Sequence, residues 1–342
     1  PNDPDHGDRH TWDLKVEEVR ELVPRFVSEF GHQAPPNRRT IEEALGADVF
    51  ASESPDAMES FAGRQRGWGG DQAQYDRWLD EWFSPATDLD GRLWRMHLLQ
   101  ARATTFSYEW LRLNQPRCGG ALIWQLNDAW TGHSWSLIDV AGRPKPSWWA
   151  ARQACAARLL AFTVGESGIE IGGVNDDRDD WTLSGRIRRI DVDGRDLSVS
   201  QVELSVPGNG AATVPIGPDL AIPEDPSREL LVAEFGEHRA FWFYGKDAWL
   251  SLPEPTFEVT CTAATDDATE VELRATSLLR DLHIDVHRLH GDASIDRNLV
   301  TLLPGEVLRA TIRGAGQLEV ADLLAPGVIR TANTLAAGGM TF

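Results

Sequence analysis

The chain has 342 residues, is 42% hydrophobic and carries a formal net charge of -20. That length supports two or three domains with sizeable cores, and the lack of a long apolar run argues against a helical membrane span. The negative charge argues against nucleic acid or an anionic membrane as a partner, and an acidic, solubilising surface accounts for it.

Cys118, Cys155 and Cys261 are scattered and odd in number, with neither metal-ligand spacing nor a disulfide framework. A reducing compartment, the cytoplasm, is the expectation, and no signal-peptide pattern is read in the chain. Tryptophan is the informative residue: of 14 in the chain, 11 fall in the first 150 positions. Most are expected in the core, but an indole face also suits the apolar face of a pyranose ring, with carboxylates and amides binding its polar edge.

In chain order, the first signal is RFVSEFGHQAPP, residues 25–36. A short apolar strand delivers Glu29, and Gly31 with Pro35 and Pro36 then breaks the backbone. Helical periodicity follows in DQAQYDRWLDEWF, where Tyr75, Trp78, Leu79 and Trp82 share a face, and in GRLWRMHLLQARATTFSYEWLRL, with Leu93, Trp94, Leu98 and Ala101. Gly119-Gly120 punctuates before Ala121-Leu122-Ile123. Such an apolar run suits a parallel strand covered by helices on both faces. It ends in Trp124, Gln125, Asn127 and Asp128, and a helix, PSWWAARQACAARLL, begins after two prolines.

Both strands end in polar residues, where functional groups sit in parallel α/β folds. A (β/α)₈ barrel needs eight strands, and the residues here yield two. They leave open a different small α/β unit or the last quarter of a barrel. Beyond residue 160 the period changes to two. RIRRIDVDGRDLSVSQVELSV reads as a hairpin around Asp193-Gly194, followed by AATVPI, ELLVAEF and RAFWFYG. Pro253 and Pro255 mark a boundary before FEVTCTA, TEVELRATS, LHIDVHRL, LVTLLPGE and VLRATIR. Two immunoglobulin-like antiparallel sandwiches, residues 161–252 and 253–342, fit this spacing. His283 and His287 read as surface or edge histidines rather than metal ligands.

A wider pattern is more specific. WQLNDAWTGHSWSLIDVAGRPKPSWWAARQACAARLL, residues 124–160, resembles the end of the barrel in β-mannosidases of glycoside hydrolase family 2, which carries WQLND-x-W, then SW, then GR-x-K-P-x-W-Y-A. SEFGHQAPP resembles that family's SE-aromatic-G-x-Q-x-x-P segment, and GDRHTWD, residues 7–13, its GD-x-H-aromatic-aromatic segment. LLQARA (98–103) and NLVTLLPGE (298–306) resemble further segments in the same order.

The resemblance implies that residues 1–160 are the C-terminal part of a catalytic (β/α)₈ barrel, with strands ending near His10, Glu29 and Trp124. It implies retaining hydrolysis of terminal non-reducing β-D-mannose from mannosides or short manno-oligosaccharides. No metal or cofactor is implied. Glu29 would be the nucleophile, Trp124 would stack under the sugar, and His10 and Trp12 would line the pocket. Asp128 is a further candidate for substrate binding, or alternatively a hydrogen-bonding residue that fixes its loop.

His32, Thr11, Arg64 and Thr131-Gly132-His133 depart from the family pattern, which bears on substrate preference. The family's acid/base glutamate follows an asparagine, and no Asn-Glu pair occurs in this sequence. Asp128 and Glu53 are the nearest acidic substitutes. The expected partner for that function is therefore the N-terminal remainder of the same enzyme. A non-catalytic carbohydrate-binding fragment, or a β-galactosidase, β-glucuronidase or exo-β-glucosaminidase, is the alternative.

Overall fold

A computed structural model describes residues 2–12, 14, 16–50 and 72–336, with only the backbone of 72–75. Glu53, Arg64 and Trp68 lie outside the described residues. The main helices are α1 (Arg38–Leu45), α2 (Gln72–Trp82), α3 (Leu89–Leu113) and α4 (Pro146–Ala154). The chain divides into two compact units: residues 1–32, 100–125 and 150–245, and residues 33–99, 126–149 and 246–342.

The first unit contains a three-stranded parallel sheet, β1 (Arg9–His10), β2 (Val27–Phe30) and β3 (Ala121–Ile123), in the order β1-β2-β3. Gly119 N–H donates to Arg25 O and Val27 N–H to Gly120 O, at 2.8 and 2.9 Å. A Cβ on Gly120 would stand 2.5 Å from the Phe26 ring, so this close approach requires glycine. Val27, Phe30, Leu111 and Cys118 are buried together, and Tyr108 of α3 meets the Phe30 ring edge-on at 5.0 Å. Cover on both faces of β3 is not what the structure has. Successive strand side chains point to opposite faces, and Leu122 is 54% exposed.

The same unit holds two antiparallel sheets. One is β10-β9-β6-β7, from β6 (Trp181–Asp191), β7 (Asp196–Val206), β9 (Glu229–Phe235) and β10 (His238–Phe243). The other is β4-β5-β8, from β4 (Arg158–Gly165), β5 (Gly168–Asn175) and β8 (Gly210–Pro215). Phe162 and Ile171 from one sheet share a buried core with Ile187, Leu204 and Phe235 from the other. The β6–β7 hairpin forms where Asp193-Gly194 placed it. Gly194 has φ +86°, and the Asp191 carboxylate accepts from Asp193 N–H and Arg195 N–H at 3.0 and 2.9 Å. Helix α4 stops at Ala154, short of its expected length, because Arg158–Gly165 is taken into the β4–β5 ladder.

The second unit contains the sheet β11-β12-β16-β14, from β11 (Phe257–Thr265), β12 (Ala268–Ala275), β14 (Ser294–Ile295) and β16 (Val307–Arg313). It also contains β15-β13-β17, from β13 (Leu279–Ile284), β15 (Val300–Leu302) and β17 (Ile329–Arg330). Leu273, Leu279, Leu282, Leu308 and Ile312 belong to one buried cluster. LHIDVHRL is not strand throughout: β13 ends at Ile284, and Val286–Arg288 is a 3₁₀ turn. The expectation of surface histidines is overturned there. His283 and His287 are buried, and His283 stacks on Trp94 of α3 with centroids 5.6 Å apart. The indole and the surrounding core supply what the period-two pattern could not reveal.

Candidate functional site

Three of the sequence-predicted residues come together at the C-terminal ends of β1 and β2. Arg9 pairs with Val27, but His10 pairs with Glu29. On the other side, Val27 pairs with Ala121 and Phe30 with Ile123. Strand β2 thus carries one extra residue relative to both neighbours, within Ser28-Glu29. Such a bulge re-aims side chains and ends regular pairing. Here it turns Ser28 and Glu29 toward Asp8, His10 and Trp12, in and around β1.

Glu29 Oε2 accepts from Trp12 Nε1 at 3.1 Å and lies 3.3 Å from His10 Nδ1. Among the described residues no hydrogen bond or ion pair reaches Oε1. The Glu29 side chain is 31% exposed, so the carboxylate is accessible but tethered on one oxygen. Trp12 is also exposed. Trp124 N–H donates to Phe30 O at 2.7 Å, so this indole follows directly from the end of the strand beside Glu29. Trp124 is 43% exposed, and its peptide bond to Gln125 is cis.

Two residues of this cluster were missed from sequence, Asp8 and Ser28. Asp8 Oδ1 accepts from Ser28 N–H at 2.9 Å, and Oδ2 from Ser28 Oγ–H at 2.5 Å. His10 Nε2 lies 3.2 Å from the same Oδ2. The Ser28 hydroxyl is the main cause holding the Asp8 carboxyl below its ordinary range. The signal was present as the alternation Asp8, His10, Trp12, which puts three side chains of the cluster on one face of an extended segment.

Below Glu29 the backbone is pinned to α3. Gln100 Nε2 donates to His32 O at 2.9 Å, and Thr104 Oγ1 to Gln100 O at 2.8 Å. Burial pushes the His32 imidazole down to about 3. A cavity of about 20 Å³, lined by Thr11, Val19, Phe30, His32 and Ser107 among others, lies in this unit. It has room for a water molecule, not a sugar ring.

Asp128 belongs to the second unit and is buried. Its Oδ2 accepts from Ser134 Oγ and Ser136 Oγ, each at 2.5 Å. Lys145 is fully buried in the same unit, its ammonium 3.3 Å from Ala34 O and 3.5 Å from Ser134 O. Burial is the largest influence on Lys145 and pushes it down to about 7, against the opposing pull of Asp128 and Asp139. Asp139 is the most heavily bonded carboxylate here. Its Oδ2 accepts from Asn37 N–H, Asn37 Nδ2 and Thr40 Oγ1 at 3.0, 3.1 and 2.7 Å. Its Oδ1 accepts from Ala141 N–H and Arg143 N–H at 3.0 and 3.1 Å. No group of three or more potential metal-ligating side chains occurs among the described residues.

No protein-family model matches the chain. Curated relatives named Beta-mannosidase B do. That of Aspergillus clavatus is 33% identical over 195 residues, which cover 54% of this chain and 21% of the relative. That of Emericella nidulans is 32% identical over the same shares. The chain is similar to these β-mannosidases over part of its length. It resembles their C-terminal portion, and the matched stretch is about a fifth of these relatives' length. The fold is similar to that of the β-D-mannosidase of Dictyoglomus thermophilum. The TM-score is 0.81 at 19% identity, covering 98% of this chain and 41% of that one. An exo-chitosanase of Amycolatopsis orientalis gives a TM-score of 0.66 at 17% identity, covering 90% and 41%.

Proposed function

We propose that this chain is the C-terminal part of a retaining exo-β-mannosidase that releases terminal non-reducing β-D-mannose. Residues 1–160 form the end of its (β/α)₈ barrel, and 161–252 and 253–342 its immunoglobulin-like sandwiches. Glu29 is the nucleophile. Retaining hydrolysis places two carboxyl groups about 5–5.5 Å apart, one attacking the anomeric carbon and one protonating the leaving oxygen. The acid/base comes from the N-terminal remainder of the enzyme.

One observation carries this reading: an accessible carboxylate at a bulged strand end, tethered through Oε2 and open at Oε1. Oε1 is then the oxygen that forms the glycosyl ester. Trp12 and His10 hold the other oxygen, and they take up the carboxylate charge again when water releases the sugar. Trp124 supports the sugar ring from the adjacent strand end. Asp128, with both serine hydroxyls on one oxygen, holds its own loop rather than a substrate hydroxyl.

The test uses the full-length protein. A 2-fluoromannosyl reagent should leave its mass on the peptide containing Phe26 to Gly31. Glu29→Ala should abolish hydrolysis, and azide should then convert an activated β-mannoside to the α-azide, because a single displacement inverts the centre. A label on another peptide, with Glu29→Ala still active, would end the assignment. Comparison of aryl β-mannoside with aryl β-glucosaminide separates this reading from the exo-β-glucosaminidase alternative.

A further inference from the structure

The nucleophile is held by a closed ring of contacts that no single strand contains. Ser28 and Glu29 are consecutive on β2, while Asp8 and His10 flank Arg9 across the pair. Starting from Ser28, its hydroxyl and amide hydrogens go to the two Asp8 oxygens. The shared Asp8 Oδ2 faces His10 Nε2 at 3.2 Å, and His10 Nδ1 faces Glu29 Oε2 at 3.3 Å. The peptide bond from Glu29 back to Ser28 closes the ring.

Each link has a chemical consequence. Two donors from one residue fix the Asp8 carboxylate in plane and position. An imidazole between two carboxylates can turn about its own bond, and what stops it is the carboxylate on the far side. His10 is 39% exposed, so packing alone does not lock it. Asp8 therefore supplies the orientation that points Nδ1 at Glu29. Trp12 Nε1 reaches the same oxygen, so both tethers converge on Oε2.

We propose that Asp8 is a positioning residue for the reaction: through His10 it anchors Oε2 of Glu29 and so presents Oε1 to the anomeric carbon. This rests on the assignment of Glu29 as nucleophile. Asp8 does not touch the reacting atoms. Its removal leaves Oε2 held by Trp12 alone, so the carboxylate samples more orientations and a smaller fraction of molecules is in an attack-ready geometry. Misplacement by about 1 Å costs on the order of 100-fold in rate.

The experiment measures covalent labelling of full-length protein by the 2-fluoromannosyl reagent, which isolates the attack step. Asp8→Asn should slow the labelling rate constant about 10- to 100-fold, with the reagent concentration at half-saturation little changed and final stoichiometry still complete. Asp8→Glu should recover part of the rate. A merely structural role would instead lower the stoichiometry and leave the rate constant of the labelled fraction at the wild-type value. Ser28→Ala is the second variant, should Asp8→Asn fail to fold: it deletes one Asp8 contact and should slow labelling about threefold. Wild-type labelling rates in the foldable variants, with the label on the Phe26–Gly31 peptide, overturn the role of Asp8 alone. A label elsewhere in the wild-type protein overturns the Glu29 assignment, and the role of Asp8 with it.

Discussion

Glu29 in the first unit and Asp139 in the second are both carboxylates in segments that resemble the same enzyme family, yet they are built oppositely. Asp139 is 1% exposed and accepts five hydrogen bonds, shared between both oxygens. Glu29 is 31% exposed, and both its contacts converge on one oxygen. A saturated buried carboxylate has no lone pair to spare and every reason to stay put. An open one, fixed on one side, can form a bond on the other. Motif resemblance marks both segments; the distribution of donors separates the open carboxylate from the saturated one.

The largest expected effect sharpens that contrast on the side of chemistry. Glu29→Ala in the full-length protein should reduce mannoside turnover by several orders of magnitude, while its melting temperature moves little, because no buried donor is stranded. An inactive variant that also melts much earlier would put Glu29 in the structural class.

Asp139→Ala should do the reverse. It strands buried donors of Asn37 and Thr40 and should cost about 3 kcal/mol or more of stability. Turnover per folded molecule should stay near wild type, as read by active-site titration alongside urea denaturation. A stability loss below about 1 kcal/mol would break the distinction drawn from donor counts.

Acid should weaken the second unit next. Burial pushes His97 and His133 down to about 3 and His283 to about 4. These rings are neutral when folded, so the unfolded chain binds more protons at acid pH. Their contribution is complete above about pH 6.5 and is lost as pH falls from there toward about 4 for His283 and about 3 for His97 and His133. Each histidine adds up to about 1.4 kcal/mol per pH unit in that window. The first unit has His32 in the same condition. Urea midpoints at several pH values, with limited proteolysis to locate the first cleavages, should show the second unit, the surroundings of His97, His133 and His283, opening first on acidification. First cleavage in the sandwich sheets of the first unit would contradict it.

The smallest effect concerns Trp124. Trp124→Ala should weaken substrate use by about 1 kcal/mol, read as a roughly fivefold fall in kcat/KM with an unchanged melting profile. No change would return this indole to a purely structural role.

Much of this was legible in the residues. The 3.6-residue pattern placed α2 and α3, and alternation with Asp193-Gly194 placed β6 and β7, because those signals come from neighbours a few positions apart. The family motifs marked Glu29, His10, Trp12 and Trp124 for the same reason: each is a short contiguous string. Residue patterning alone found two of the three parallel strands, since β1 is two residues long and has no period to detect. It missed the burial of His283, which depends on Trp94 from a distant helix.

By itself, then, the sequence determined the local elements, the turn chemistry and the resemblance to β-mannosidases. Only the tertiary structure decided which carboxylate is saturated and which is open. It alone revealed the one-residue slip of β2 against both neighbours, and with it the ring from Asp8 through His10 to Glu29. The physical reason is register. A strand's own residues state which side chains alternate, but the partner strand, 17 or more residues away, sets which of them meet.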